Sequence, residues 1–180
     1  RLIVSGGGHV AQALAPIAAS SDFRVLVFDE REDLLEHPAF EGMTTGAYDV
    51  DELAVAIPEP SERDYVVIMT HDHARDEKAL ACLLQRPHRY LGMIGSRRKV
   101  HSVLGRILQR EAQRGRPRPD LSRLRAPIGL ALGGRTPAEI AVSVVAELIA
   151  DRHGGGGGAM SVVEAVESVA PANVETTSRG

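Results

Sequence analysis

The sequence predicts an α/β domain whose parallel sheet is doubly wound, with about six strands and helices on both faces. Short apolar segments alternate along the chain with longer segments of helical periodicity, a pattern typical of parallel sheets. Apolar residues make up 43% of the 180 residues, but aromatic residues only 3%. The core must therefore consist of Ala, Val, Leu and Ile, the usual filling of a parallel sheet covered by helices.

Apolar runs place the strands, and the periodic segments between them place the helices. The predicted strands are Leu2–Val4, Phe23–Phe28, Thr44–Ala47, Tyr65–Met69, Tyr90–Ile94 and Ile128–Leu132. The predicted helices are His9–Ala19, Val50–Ile57, a segment ending near Gln85, Arg97–Gln113 and Pro137–Ala150. Pro16 predicts a kink or an early end of the first helix. Thr136, Pro137 and Glu139 form a capping box that predicts the start of the last helix.

Composition divides the chain into a domain and a tail. Residues 1–152 are predicted to form the domain, and residues 153–180 a Gly-rich linker and a flexible tail that adds little to stability. Within that tail, Met160–Ala170 could form a helix. The chain opens at Arg1, without Met and directly on an apolar run, so we expect it to be a piece of a longer polypeptide.

Charge and cysteine content limit the expected partners and location. A net charge of −3 gives no reason to expect a nucleic-acid or membrane partner. No apolar run approaches the ~18 residues of a membrane span. The single cysteine, Cys82, cannot form an internal disulfide, so a reducing compartment and a cytoplasmic location are expected.

A glycine-rich loop follows the first predicted strand. The run Gly6–Ala11 matches the pattern G-x-G-x-x-G/A and stands between a strand and a helix, as a Rossmann-like nucleotide-binding loop requires. Gly6 would permit the tight turn, and Gly8 the close approach of a pyrophosphate. Asp29, at the end of the second strand, would accept hydrogen bonds from a ribose diol. The alternative is a glycine-rich turn that binds nothing, with Asp29 as a solvated turn residue.

A second loop places three cations in the first turn of a helix. If Ser96 caps that helix, Arg97, Arg98 and Lys99 oppose the helix dipole. The arrangement favours an anion in front of the helix, although a solvated basic face would also explain it. Arg135, beside two glycines, is expected to reach the same edge of the sheet.

Two histidines flank Asp72 after the fourth predicted strand, and three interpretations remain open. Asp72 could simply cap the following helix. His71 and His73 could contact the ligand or act as general acid and base. They could also bind a metal, but no further ligand stands at a convincing spacing, so no metal is expected.

Four motifs together resemble the Rossmann domain of the xanthine dehydrogenase accessory factors, the XdhC/CoxI-type family. The motifs are Ser5–Leu14, Met69–His73, Tyr90–Lys99, and Ala126–Leu130 followed by Gly133–Ser143. The resemblance implies a chaperone that binds the molybdenum cofactor (molybdopterin, with or without a nucleotide), holds it while its sulfur is installed and delivers it. The implied partners are a molybdenum hydroxylase apo-enzyme and a sulfur-donating desulfurase, and a homodimer is one expected assembly. The family's separate N-terminal domain is absent from this sequence.

The leading hypothesis is thus a cofactor-binding maturation factor and not a catalyst. An NAD-dependent oxidoreductase is the main alternative, and an NAD-binding regulatory domain is another. The predicted cofactor-binding residues are Gly6, Gly7, Gly8, His9, Val10, Asp29, Thr70, His71, Gly95, Ser96, Arg97, Arg98 and Arg135. His71 and His73 are the candidates for catalysis.

Overall fold

The structure is a computed structural model that describes residues 1–48 and 59–160. The helix predicted at 50–57 lies outside the described residues, and so does the helix predicted at 160–170, apart from Met160. No helix in these two described ranges is long and apolar enough to cross a membrane.

The described strands form one parallel sheet with the order β3-β2-β1-β4-β5-β6. They are β1 (Leu2–Ser5), β2 (Val25–Asp29), β3 (Thr44–Ala47), β4 (Tyr65–Ile68), β5 (Tyr90–Met93) and β6 (Leu124–Arg125). This order confirms the predicted doubly wound, Rossmann-like fold. It also places the reversal of strand order between β1 and β4, where ligands bind in such sheets.

Helices cover both faces of the sheet. They are α1 (His9–Ser20), α2 (Glu32–Leu35), α3 (His73–Leu83), α4 (Arg97–Gln113) and α5 (Pro137–His153), with a 3-10 turn at Pro38–Phe40. Helix α1 continues through Pro16 to Ser20, so the predicted early end does not occur. Buried Leu14, Ala15 and Ala18 lie on both sides of Pro16, and their packing offsets the lost backbone hydrogen bond.

Two apolar cores hold the helices on the sheet. Alternate residues of β1 separate them: Leu2 and Val4 join the core beneath α1 and α5, whereas Ile3 joins the core beneath α3 and α4. Both cores are mainly aliphatic, as the composition predicted. Strand β1 is thus buried on both faces, which explains its continuous apolar sequence.

The sixth strand lies earlier in the chain than predicted. A strand was expected at Ile128–Leu132, but the residues that pair with β5 are those of β6. Pro127 has no N–H to donate to a ladder, and Gly129, with φ 105°, turns the chain away from the sheet. Ile128 alone stays attached, since its N–H donates to the Met93 carbonyl at 3.0 Å.

The start of α5 has the predicted capping box. The Thr136 hydroxyl accepts from the Glu139 N–H at 3.3 Å, and the Glu139 carboxylate accepts from the Thr136 N–H at 2.9 Å. Two of the N–H groups left unpaired at a helix start are thereby satisfied.

The other end of α5 is held at the amino edge of the sheet. Arg89, just before β5, donates to the Asp151 carbonyl at 2.8 Å, and Arg152 donates to the Ser21 carbonyl at 2.8 Å. Because the helix ends at the amino edge, it begins at the opposite edge, where the strands end.

Truncation after Gly155 is expected to shift the melting temperature by less than about 2 °C. Gly154 and Gly155 close α5 by donating to the carbonyls of Asp151 and Ala150, and this truncation keeps both bonds. Residues 156–160 are exposed, and ordering glycines costs chain entropy. Truncation after Ala150, which removes the anchored helix end, is the control and should lower the melting temperature by several degrees. Equal decreases of the melting temperature in the two truncated proteins would contradict the prediction.

Candidate functional site

The loops that follow β1, β4 and β5 meet at one edge of the sheet, here called the carboxyl edge, because these strands are neighbours. All predicted site residues lie at this edge. Each of them ends a strand, follows a strand, or stands before or at the start of the next helix. They are Gly6, Gly7, Gly8, His9, Val10, Asp29, Thr70, His71, His73, Gly95, Ser96, Arg97, Arg98 and Arg135.

The glycine loop has the geometry that its sequence predicted. Gly6 has φ 122°, and a Cβ there would lie 2.4 Å from the Met69 carbonyl oxygen. Gly8 caps α1 without a side-chain hydrogen bond, and the first turn has no acidic residue. A Cβ at Gly8 would meet nothing within 4 Å. The space beside Gly8 at the start of α1 is therefore open, and a helix start with open space before it is where phosphate groups bind.

Replacing Gly6 with alanine is expected to lower the free energy of unfolding by at least about 2 kcal/mol, because the new methyl group meets the backbone of Met69, just after β4, and the residue keeps a positive φ. Gly8→Ala is the matched control. It should leave stability nearly unchanged, because φ is −72° and the space is open. Urea unfolding of the two variants measures the difference, and equal midpoints would contradict this account of the loop.

The Asp29 carboxylate, the predicted ribose acceptor, is already fully hydrogen-bonded. Its Oδ2 accepts from the Gly7 N–H at 2.7 Å and from Arg31 Nη2 at 3.0 Å. Its Oδ1 accepts from the Arg31 N–H at 2.9 Å and from Arg31 Nε at 3.0 Å. Burial raises the pKa of Asp29, but the hydrogen bonds from Arg31 and Gly7 outweigh it, and the pKa lies below its ordinary value. Asp29 thus ties the glycine loop to the end of β2.

Glu30, the next residue, is paired as well. Its carboxylate forms an ion pair with Arg75 of α3, and His71 Nε2 lies 3.9 Å from Glu30 Oε1. These side chains, with buried Tyr48, enclose a pocket of only about 10 Å³, room for roughly one water molecule. At the end of β2 the carboxylates of Asp29 and Glu30 are therefore each paired with a guanidinium group, and the pocket beside them is small.

Asp72 caps α3, which is one of the three interpretations that the sequence left open. Its carboxylate accepts from the Ala74 N–H at 3.1 Å. Thr70 instead contacts Asp76, one turn into the helix, with its hydroxyl 2.7 Å from Oδ1. Asp76 is fully buried, and its other oxygen forms an ion pair with Lys99.

The three cations that follow Ser96 have different roles. Ser96 caps α4, as predicted, and accepts from the Lys99 N–H at 3.2 Å. The Lys99 side chain turns inward to Asp76 and is only 12% exposed. Arg97 and Arg98 are exposed, and within residues 1–48 and 59–160 neither has an ion-pair partner. Two unpaired positive charges therefore remain at the start of α4.

A cavity of about 320 Å³ opens between α3 and α4 at this point. Arg98, Lys99 and Arg106 line it together with the hydroxyl groups of Ser96 and Ser102. None of the described residues that line this cavity carries a carboxylate. It is large enough for a phosphate group and part of the molecule that carries it.

The two histidines lie in different surroundings. His71 faces the small pocket at the end of β2, whereas His73, the first residue of α3, lines the cavity beside Ser96. They do not share a cavity, so the structure does not bring them together as an acid–base pair.

Sequence reasoning missed several residues at this edge. Tyr48 is buried, and its hydroxyl lies 2.6 Å from the Ser5 hydroxyl; burial raises the pKa of Tyr48. Arg75 and Asp76 were also missed. No motif marks any of them, because their partners lie on other elements of the fold.

The fold and the carboxyl edge define a Rossmann-type domain with a glycine-rich loop at the start of α1 and a cationic cavity between α3 and α4. The chain belongs to the XdhC Rossmann domain family, whose family model matches residues 2–148.

Named relatives agree with this assignment. The chain is 34% identical over 160 residues to a probable xanthine dehydrogenase subunit of Bacillus subtilis, an alignment that covers 84% of this chain and 43% of that protein. It is 27% identical over 152 residues to the molybdenum cofactor insertion chaperone PaoD of Escherichia coli, covering 84% and 40%. The crystal structure of a xanthine dehydrogenase from Bacillus halodurans superimposes with a TM-score of 0.70 at 31% identity, covering 86% and 43%. The chain spans 29% to 43% of the length of the curated relatives it matches.

Proposed function

We propose that this domain binds the phosphate-bearing end of the molybdenum cofactor and serves the maturation of a molybdenum hydroxylase related to xanthine dehydrogenase. The observation that carries the proposal is that Arg97 and Arg98, at the start of α4, are exposed and have no ion-pair partner in the described part of the chain. Cations in a first helical turn are unfavourable by about 0.3–1 kcal/mol each when exposed. An anionic group of the cofactor beside them would reverse that sign.

The carboxyl edge supports cofactor binding better than hydride transfer. An NAD-dependent oxidoreductase needs a ribose acceptor at the end of β2 and a proton donor beside the substrate. Asp29 is occupied by Arg31, and His71 and His73 line separate cavities. The similarity to PaoD, a molybdenum cofactor insertion chaperone, supports the choice of molybdenum cofactor.

The domain would hold the cofactor while a sulfur-donating desulfurase acts on it, and then pass it to the apo-hydroxylase. In this role the chain's own groups would bind and orient the cofactor, since the α1 N–H groups and the arginines can each contact one of its anionic groups. The site would lie open at the carboxyl edge, where a partner enzyme can approach it.

The test is to load the purified chain anaerobically with molybdenum cofactor released from a molybdoenzyme and to separate the protein by gel filtration. We expect molybdenum and, after oxidation, pterin fluorescence to elute with the protein, whose elution volume also reports whether it is a homodimer. Absence of both signals would contradict the proposal. Binding of NAD with substrate turnover would favour the oxidoreductase, and NAD binding without turnover the regulatory domain.

A further inference from the structure

The end of β2 differs from the rest of the carboxyl edge in its balance of charge. Asp29 is 4% exposed and accepts four hydrogen bonds, three of them from Arg31. Glu30 is paired with Arg75. Both carboxylates are thus paired with a guanidinium group, whereas Arg97 and Arg98 at the start of α4 have no ion-pair partner among the described residues.

We propose that the Arg31–Asp29 pair closes the end of β2 to a ribose, so that the domain selects a phosphate ester without a nucleotide. A carboxylate has about four acceptor sites, and those of Asp29 are all in use. A ribose diol at this place would have to displace Arg31. Because Arg31 is held by Asp29, it also offers no surplus charge to a phosphate on the ribose.

This inference rests on the proposed function and limits the ligand to one form of the cofactor. A dinucleotide crosses the point where the strand order reverses, with its pyrophosphate at the α1 start and one ribose at the end of β2. Here the α1 start is open, but the place for the ribose is filled. Of the forms of the molybdenum cofactor, the geometry therefore selects molybdopterin without a nucleotide.

The test compares two probes, ADP-ribose and inorganic pyrophosphate, by isothermal titration of the full chain. The wild-type chain should bind ADP-ribose no more tightly than pyrophosphate. In Arg31→Met, two acceptor positions of Asp29 become free, and the affinity for ADP-ribose should rise about tenfold, the effect of one hydrogen bond to a charged group. The affinity for pyrophosphate should stay within about twofold of wild type, because pyrophosphate has no ribose to reach Asp29.

The matched control is Arg24→Met, an exposed arginine at the amino edge just before β2, which should change neither affinity. The inference is overturned if the wild-type chain binds ADP-ribose at least about tenfold more tightly than pyrophosphate. It is also overturned if Arg31→Met binds ADP-ribose no more tightly than wild type does. The wild-type comparison needs no variant, so it decides the question even if Arg31→Met unfolds. Failure of the proposed function would appear in a different experiment, the gel filtration described above, in which the chain would retain no molybdenum cofactor.

Discussion

Replacing Lys99 with methionine is expected to lower the free energy of unfolding by about 3–5 kcal/mol, the usual cost of leaving a buried charge without its partner. Asp76 is fully buried and would keep only its hydrogen bonds with Thr70. Methionine fills similar space, so the loss reports the missing charge and not a cavity. Urea unfolding measures the change.

Arg98→Met is the control for this variant, because Arg98 stands in the same helical turn but is exposed. It should change stability by less than about 0.5 kcal/mol, as surface substitutions usually do. The double variant Lys99→Met/Asp76→Leu should recover much of the loss, since it removes both charges. If Lys99→Met and Arg98→Met unfold at the same urea concentration, the ion pair contributes nothing to stability.

Changing Arg97 and Arg98 together to glutamate is expected to weaken pyrophosphate binding by at least about 100-fold, since each charge-assisted hydrogen bond contributes about 1.5–3 kcal/mol. The ligand-free protein should be as stable as wild type or more stable, because acidic residues suit a helix start. Any remaining binding should depend less on salt. Titration calorimetry at two salt concentrations, with thermal melts of the free protein, measures all three effects.

Arg24 and Arg63 provide a control with the same change in net charge. Both are exposed and stand just before β2 and β4, at the amino edge of the sheet. Changing both to glutamate should leave binding nearly intact, apart from a long-range effect that salt screens. If instead the Arg97/Arg98 variant binds normally but loses stability, those arginines are structural and the cationic cavity is not an anion site.

The features that sequence predicted correctly are those that depend on near neighbours in the chain. Asp72, Ser96 and Thr136 each stand before a helix and accept the predicted hydrogen bond, because a cap is a local contact. The doubly wound parallel sheet followed from the alternation of strands and helices and from the glycine loop. The site residues reached one edge for the same reason.

The features that sequence missed depend on distant partners or on the direction of one side chain. Nothing local distinguishes Lys99, which crosses to Asp76 on another helix, from the two arginines before it. The position of Arg31 beside Asp29 was visible, but not the direction of its guanidinium group. The sixth strand was misplaced because the apolar run that begins at Ile128 packs on the sheet without joining it.

The central place of β1 in the sheet has a consequence for synthesis on the ribosome. β1 pairs with β2 on one side and with β4 on the other, yet Tyr65–Ile68 of β4 follow β2 by a long stretch of chain. At about 5–20 residues per second, β1 would wait about 2–8 seconds after β2 has been made before its second neighbour exists. Throughout that interval a strand with three apolar residues out of four has an unpaired edge that other nascent chains can join. We expect the yield of folded protein to depend on how fast the ribosome translates the region between β3 and β4.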